Sequence, residues 1–315
     1  MPITPTVSRA AAAMFGCALA LTAGCSAPAE TAQVSMLGQS VGLTVDSKDA
    51  RLAATLRFPS TALPAIARSA TAAPFPAIVL AHGSGQMTRD RNAPLAERFL
   101  SMGLAVLTYD KRGVGQSTGT YVNVGTARSQ EIFPLLADDA LACLAVLKTR
   151  KDIDSRRIGL GGMSQAGWLV PLAASRSRDV AFLVILSGPA TTVGEEMEYS
   201  RLAGYDPESI QGLADDEIAR GMSLFKGPHG YDPVPVLEQL TTPSIWVEGE
   251  SDRSIPMGQT LATLERIARA GRPITVIRLP GANHSLFNSV TGERPDFWPQ
   301  VHAWLVRQSV IARVP

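Results

Sequence analysis

The run Gly162-Met163-Ser164-Gln165-Ala166-Gly167 sets one hydroxyl among small residues, just ahead of an apolar stretch at 168–174. A strand that turns abruptly into a helix needs this composition, because bulky side chains two positions before and two after the serine would collide in the turn. A serine held there stands clear of its strand at the head of a helix, where the free N–H of Gln165 can face a developing negative charge. That arrangement suits nucleophilic attack on a carbonyl, provided a base takes the hydroxyl proton and a carboxylate fixes the base's tautomer. The candidates for the base are the four histidines, His82, His229, His284 and His302. The candidates for the acid lie together in one segment: Asp252, with Glu250 and Glu248 as rivals. The glycines Gly159, Gly161 and Gly162 do not make a dinucleotide-binding pattern, since Ser164 occupies the place of its last glycine.

Secondary structure has to deliver these groups to one place. Two β-forming runs, 40–45 and 52–58, flank the polar turn Ser47-Lys48-Asp49 and predict a hairpin. Apolar runs at 77–81, 104–109 and 181–186 read as strands buried on both faces, and 158–163, 244–247 and 274–279 read as further strands. Between and after them, 93–102, 126–149, 165–174, 260–270 and 299–311 carry helical patterning. Short apolar strands alternating with helices predict a doubly wound, mostly parallel sheet. The rhythm breaks from about 190 to 240. There Met197, Tyr199 and Leu202, then Ile210, Leu213, Ile218 and Met222, recur at helical spacing, and Asp206-Pro207 reads as a helix start. This predicts a helical cap insertion over the sheet. Loops that follow parallel strands share one edge of the sheet, which favours His284, directly after 274–279, over His229 and His302. His82 also follows a strand but reads as a structural residue of its own loop. Asp252 follows 244–247.

The order Ser164, Asp252, His284 is that of the α/β-hydrolase fold, and the chain resembles that family from residue 38 to 311. The resemblance implies a serine hydrolase acting through a Ser164–His284–Asp252 triad and an acyl-enzyme, with carboxylic esters of small molecules as substrates. His82-Gly83-Ser84-Gly85 resembles the family's oxyanion segment, so the N–H of Ser84, or that of Gly85, would pair with the N–H of Gln165. Asp110-Lys111-Arg112-Gly113 resembles the loop after the next strand in the esterase and serine-peptidase branches. Ala166 departs from the commonest pattern, which has glycine there. Met197, Tyr199, Leu202, Met222 and Phe225 of the insertion would line an acyl pocket or pack as core. Glu195-Glu196 reads as a solvated helix face, or, by similarity to dipeptidyl peptidases, as an anchor for a peptide amine. A peptidase or amidase with the same triad is the alternative activity. A catalytically dead surface binding protein is the alternative from another class. No cofactor and no metal site are expected.

The first residues read as a targeting segment rather than as part of the domain. Arg9 is followed by an apolar run at 10–23, and Leu21-Thr22-Ala23-Gly24-Cys25 resembles the lipobox of bacterial lipoproteins. The resemblance implies a signal peptide at 1–24, lipid on Cys25, a polar tether at 25–37 and a hydrolase domain at 38–315. Ser26 after the cysteine implies sorting to the outer membrane, facing the periplasm, with the lipid anchor as the only membrane contact. With Cys17 removed and Cys25 acylated, Cys143 remains as a small buried hydrophobe, and no disulfide forms within the mature chain. The 315 residues suffice for one large domain with an insertion, and a net charge of +1 gives no footprint for nucleic acid.

Overall fold

Four- to six-residue apolar runs build the centre of the sheet. The structure is a computed structural model that describes residues 38–60, 74–205 and 212–312. The expected signal peptide, Cys25, the whole tether, Asp206-Pro207 and Ile210 lie outside the described residues. Among the described residues, eight strands pair in the order β1-β2-β4-β3-β5-β6-β7-β8. They are β1 (Ser40–Ser47), β2 (Ala50–Arg57), β3 (Phe75–Leu80), β4 (Ala105–Tyr109), β5 (Ile153–Met163), β6 (Leu183–Leu186), β7 (Ser244–Gly249) and β8 (Ile274–Leu279). The hairpin β1–β2 is antiparallel, with Ser47 opposite Ala50 across the two-residue turn Lys48-Asp49. Lys48 takes φ 49°, as the first position of such a turn demands. β2 also runs antiparallel to β4, and every later pairing is parallel. The fold is therefore the α/β-hydrolase fold, a mostly parallel sheet wrapped by helices.

Alternate residues of each central strand enter opposite cores. Ala77, Val79, Leu160, Leu183, Ile185 and Trp246 join the apolar faces of α2 (Thr126–Lys148) and α3 (Ala166–Arg176) on one side. Ile78, Leu80, Val184, Leu186, Ile245 and Val247 join α1 (Ala93–Ser101) and the closing helix on the other. Each fully buried aliphatic side chain contributes about 1.5–3 kcal/mol relative to exposure, so the strands that carry the site's loops are the most firmly held part of the molecule. β5 begins at Ile153, earlier than the expected 158. Its first half pairs only through Phe75 with Ile153 before a register shift, and its polar Asp154, Arg156 and Arg157 hide it from a search for apolar runs.

Between β6 and β7 the chain forms α4 (Val193–Leu202), α5 (Asp215–Ser223) and the short α6 (Val234–Leu237). A capping box starts α4: the Glu195 N–H donates to Thr192 Oγ1 at 3.2 Å, and the Thr192 N–H donates to Glu195 Oε2 at 2.9 Å. After β7 come α7 (Met257–Arg269), then β8 and α8 (Trp298–Arg307). Among the described residues no helix is long and apolar enough to cross a membrane, and Cys143 is a buried free thiol.

Candidate active site

Ser164 sits between the end of β5 and the start of α3 with φ 59°, a left-handed conformation rare outside glycine. Its N–H donates to the Leu186 carbonyl of the neighbouring strand at 2.9 Å, which helps hold the turn. The small residues around it are required by contact. A Cβ on Gly162 would lie 2.6 Å from the Ala166 Cβ and 2.7 Å from the Ala81 carbonyl oxygen, and one on Gly167 would lie 2.7 Å from the Gly188 Cα. Gly159 and Gly161 are likewise packing glycines, pressed against Phe182 and Val184.

The loops after β7 and β8 bring Asp252 and His284 together. His284 Nδ1 lies 2.7 Å from Asp252 Oδ2. The other oxygen, Oδ1, accepts the N–H groups of Ser254 at 2.7 Å and Ile255 at 3.0 Å. Asp252 is buried, and both of its oxygens have partners that fix its orientation. A carboxylate at Nδ1 selects the tautomer with its proton there and leaves Nε2 as the acceptor. The rival acids are occupied elsewhere. Glu250 accepts from Arg278 at 2.6 Å on the surface. Glu248 is buried, takes the Gly188 N–H at 3.2 Å and has no partner for Oε2. Among the other histidines, buried His82 bonds the Tyr109 carbonyl and burial pushes its pKa down to about 3, so it is neutral. His229 contacts Thr192 Oγ1 at 3.2 Å, and His302 lies within α8.

The oxyanion-like loop lies against the serine: a Cβ on Gly83 would stand 3.7 Å from the Ser164 Cβ. Among the described residues, no protein acceptor takes the N–H of Ser84 or of Gln165. Lys111, which sequence reasoning left without a role, joins the two halves of this region. Its buried ammonium donates to the carbonyls of Gly83 at 2.9 Å and Gly85 at 3.1 Å, and to Gln165 Oε1 at 3.0 Å. Burial lowers its pKa to about 8. The rest of the same loop is rigid. Arg112 makes a bidentate bond to buried Asp139, at 2.8 and 2.6 Å, and Asp110 accepts the N–H groups of Arg89 and Gln116, each at 2.8 Å.

Ser84, Ser164 and His284 line one cavity of about 910 Å³, with Asn92, Leu95, Met163, Met197, Tyr205 and Trp298 among its walls. Of the expected cap-pocket residues only Met197 faces this space. Tyr199 and Met222 instead line a neighbouring cavity of about 740 Å³, and the Tyr199 hydroxyl donates to the Asp252 carbonyl at 3.0 Å. Phe225 packs on His229 at 5.4 Å between ring centroids, and Leu202 joins a small core with Ile218. The reason is helical phase: on α4, Met197 and Ser200 point to the serine while Tyr199 and Leu202 turn towards α5. Glu195 is taken by its capping box, whereas Glu196 lines the serine's cavity. Among the described residues no cluster of histidine, cysteine, aspartate or glutamate is arranged to hold a metal ion.

Comparison with known proteins places the chain in a family and a fold. Residues 94–309 match the prolyl oligopeptidase family. Esterase EstD of Thermotoga maritima is 29% identical over 206 residues, which are 58% of this chain and 48% of EstD, so the chain spans about half the length of that relative. A monoacylglycerol lipase of Mycolicibacterium smegmatis is 25% identical over 73% of this chain and 87% of its own. Among solved structures, the Pyrococcus furiosus esterase Pf2001 superposes with a TM-score of 0.61 over 87% of this chain and 92% of that one, at 18% identity.

Proposed function

Since the chain belongs to the prolyl oligopeptidase family, we propose that it is a serine hydrolase that cleaves carboxylic esters through Ser164, His284 and Asp252. The observation that carries this reading is the 2.7 Å contact of His284 Nδ1 with a buried, doubly bonded Asp252, in loops whose histidine shares a cavity with a strained Ser164. His284 Nε2 takes the Ser164 proton as Oγ attacks the ester carbonyl. Asp252 stabilises the imidazolium that forms. The N–H groups of Ser84 and Gln165 receive the oxyanion, each donor worth about 3 kcal/mol. His284 then protonates the leaving alcohol, and a water activated by the same ring releases the acyl group. A walled cavity with apolar lining suits an acyl chain beside the serine. The names of the relatives, an esterase and a lipase among them, support ester over amide bonds. The family's own name keeps a peptidase as the second reading.

A fluorophosphonate probe tests the nucleophile. It is expected to label Ser164, and Ser164→Ala to remove both the label and roughly 10⁶-fold in kcat. Asp252→Asn is expected to lower kcat about 10⁴-fold while Glu250→Gln leaves it within a few-fold. Chromogenic short-chain esters are to be turned over faster than peptide anilides. An unlabelled Ser164 in folded protein would leave a binding role on a hydrolase scaffold instead.

A further inference from the structure

The cavity beside Ser164 carries positive charge that hydrolysis of a neutral ester does not use. Arg91, Arg98 and Arg294 all line it, and Glu196 is the only carboxylate among its described lining residues. Arg98 comes from α1 and Arg294 from the loop that leads into α8, so two separate elements converge. Among the described residues, neither Arg98 nor Arg294 has a carboxylate partner. Each is instead held against an aromatic ring. The Arg294 Cζ lies 4.1 Å from the centroid of Phe287, and the Arg98 Cζ lies 6.0 Å from that of Trp298. Arg294 also donates to the Ser285 carbonyl at 3.2 Å, next to His284. A guanidinium supported by a ring is pre-organised and keeps N–H groups for an acceptor in its plane. The two cations line the same cavity. Burial, and then the like charge of Arg98, hold the Arg294 pKa below its ordinary value. Both residues are exposed to solvent, so the rings steady them at the same cavity without shielding them, and together they leave a place for an anion.

We propose that the substrate carries a carboxylate remote from the scissile ester, and that Arg98 and Arg294 bind it, so that the preferred substrates are half-esters of dicarboxylic acids or esters of similarly anionic acyl groups. The planar carboxylate matches the forked guanidinium donors. Leu95, Met163 and Trp298 line the same cavity and offer apolar surface for the methylenes that join the two ends. Arg91, in the turn before α1, lines the same cavity and adds to its positive charge. This inference rests on Ser164 as the nucleophile only for turnover; binding of the anion does not need it.

The test therefore has two arms. In the first, kcat/KM is measured for p-nitrophenyl butyrate and for the p-nitrophenyl half-ester of glutaric acid. Wild type is expected to favour the half-ester by roughly tenfold or more at low salt. Arg98→Gln/Arg294→Gln is expected to pull that ratio down to about one, and 0.5 M (roughly) salt to narrow it in wild type through screening. In the second, monoethyl glutarate is titrated into the folded Ser164→Ala protein, with and without the two arginine substitutions. It is expected to bind the first and to bind the second at least tenfold (roughly) more weakly. A half-ester that is no better than the neutral ester, or a preference that survives the double substitution, overturns the proposal. So does monoethyl glutarate that fails to bind, or that binds both proteins alike. If neither ester is turned over but the titration arm succeeds, the hydrolase reading has failed and the anion site stands.

Discussion

Lys111 shows how much a single buried side chain can couple. An ammonium has three N–H groups, and the three acceptors around it are two carbonyls of the loop carrying Ser84 and the side chain of Gln165. Both proposed oxyanion donors are thus tied through one nitrogen. A neutral amine has only two N–H groups, so loss of the proton leaves one acceptor without its donor. The groups beside it do not compensate: His82 is neutral, and Asp110 is engaged by Arg89 and Gln116. With a pKa of about 8, kcat on a neutral ester is expected to decline on the alkaline side of that value. Lys111→Met is expected to lower kcat more than it raises KM, by up to the roughly 10²–10³-fold of one lost oxyanion donor, and to erase that alkaline limb. A pH–kcat profile of the two proteins checks it. A variant that keeps the limb would assign the titration to another group.

At the scale of elements, β7 carries an acid that the proposed chemistry does not use. Glu248 is fully buried, and burial, reinforced by the charge of Asp252, pushes its pKa well above the ordinary 4.5. The sign follows from linkage. A folded pKa above the unfolded one contributes stability that is complete below about pH 4.5 and is lost as pH rises through the folded value, by up to about 1.4 kcal/mol per pH unit. Glu248→Gln keeps an acceptor for the Gly188 N–H and cannot ionise. Its melting temperature is expected to exceed that of wild type at pH 8, with the gap closing towards pH 5. Thermal unfolding at the two pH values measures this. An equal gap at both would mean that Glu248 is not the titrating group.

At the scale of the molecule, the end of α4 and α5 pack apart from the main core, which Val193 at the start of α4 and Tyr231 and Leu237 beyond α5 do join. Their own core is small, built on Leu202, Ala203 and Ile218. Arg253, next to Asp252, reaches across to the carbonyls of Ala203 at 3.1 Å and Leu213 at 2.9 Å, and to Asp215 at 3.1 Å. A region with so little buried apolar contact opens before the sheet does. Arg253→Ala is expected to speed amide hydrogen exchange in α4 and α5 and to raise KM several-fold, while the exchange of β3, β5 and β6 is unchanged. Exchange followed peptide by peptide decides this; uniform acceleration would place Arg253 in the global core.

Local order left clear marks in the sequence. Strands buried on both faces are rich in apolar residues, so β3, β4, β6 and most of β7 could be read directly, and the edge strand β8 by its place in the rhythm of strands and helices. A serine in a left-handed turn must have small neighbours, so Ser164 stood out through Gly162 and Ala166. Chemistry that depends on one long-range contact left no such mark. The sequence named Asp252 ahead of Glu250 and Glu248, but only the tertiary structure shows which carboxylate reaches His284. The phase of α4, which sends Met197 to the serine and Tyr199 away from it, the three-way bond of Lys111, and the meeting of Arg98 with Arg294 were equally hidden. Each joins residues far apart in the chain, and periodicity within one element says nothing about the angle at which it meets another.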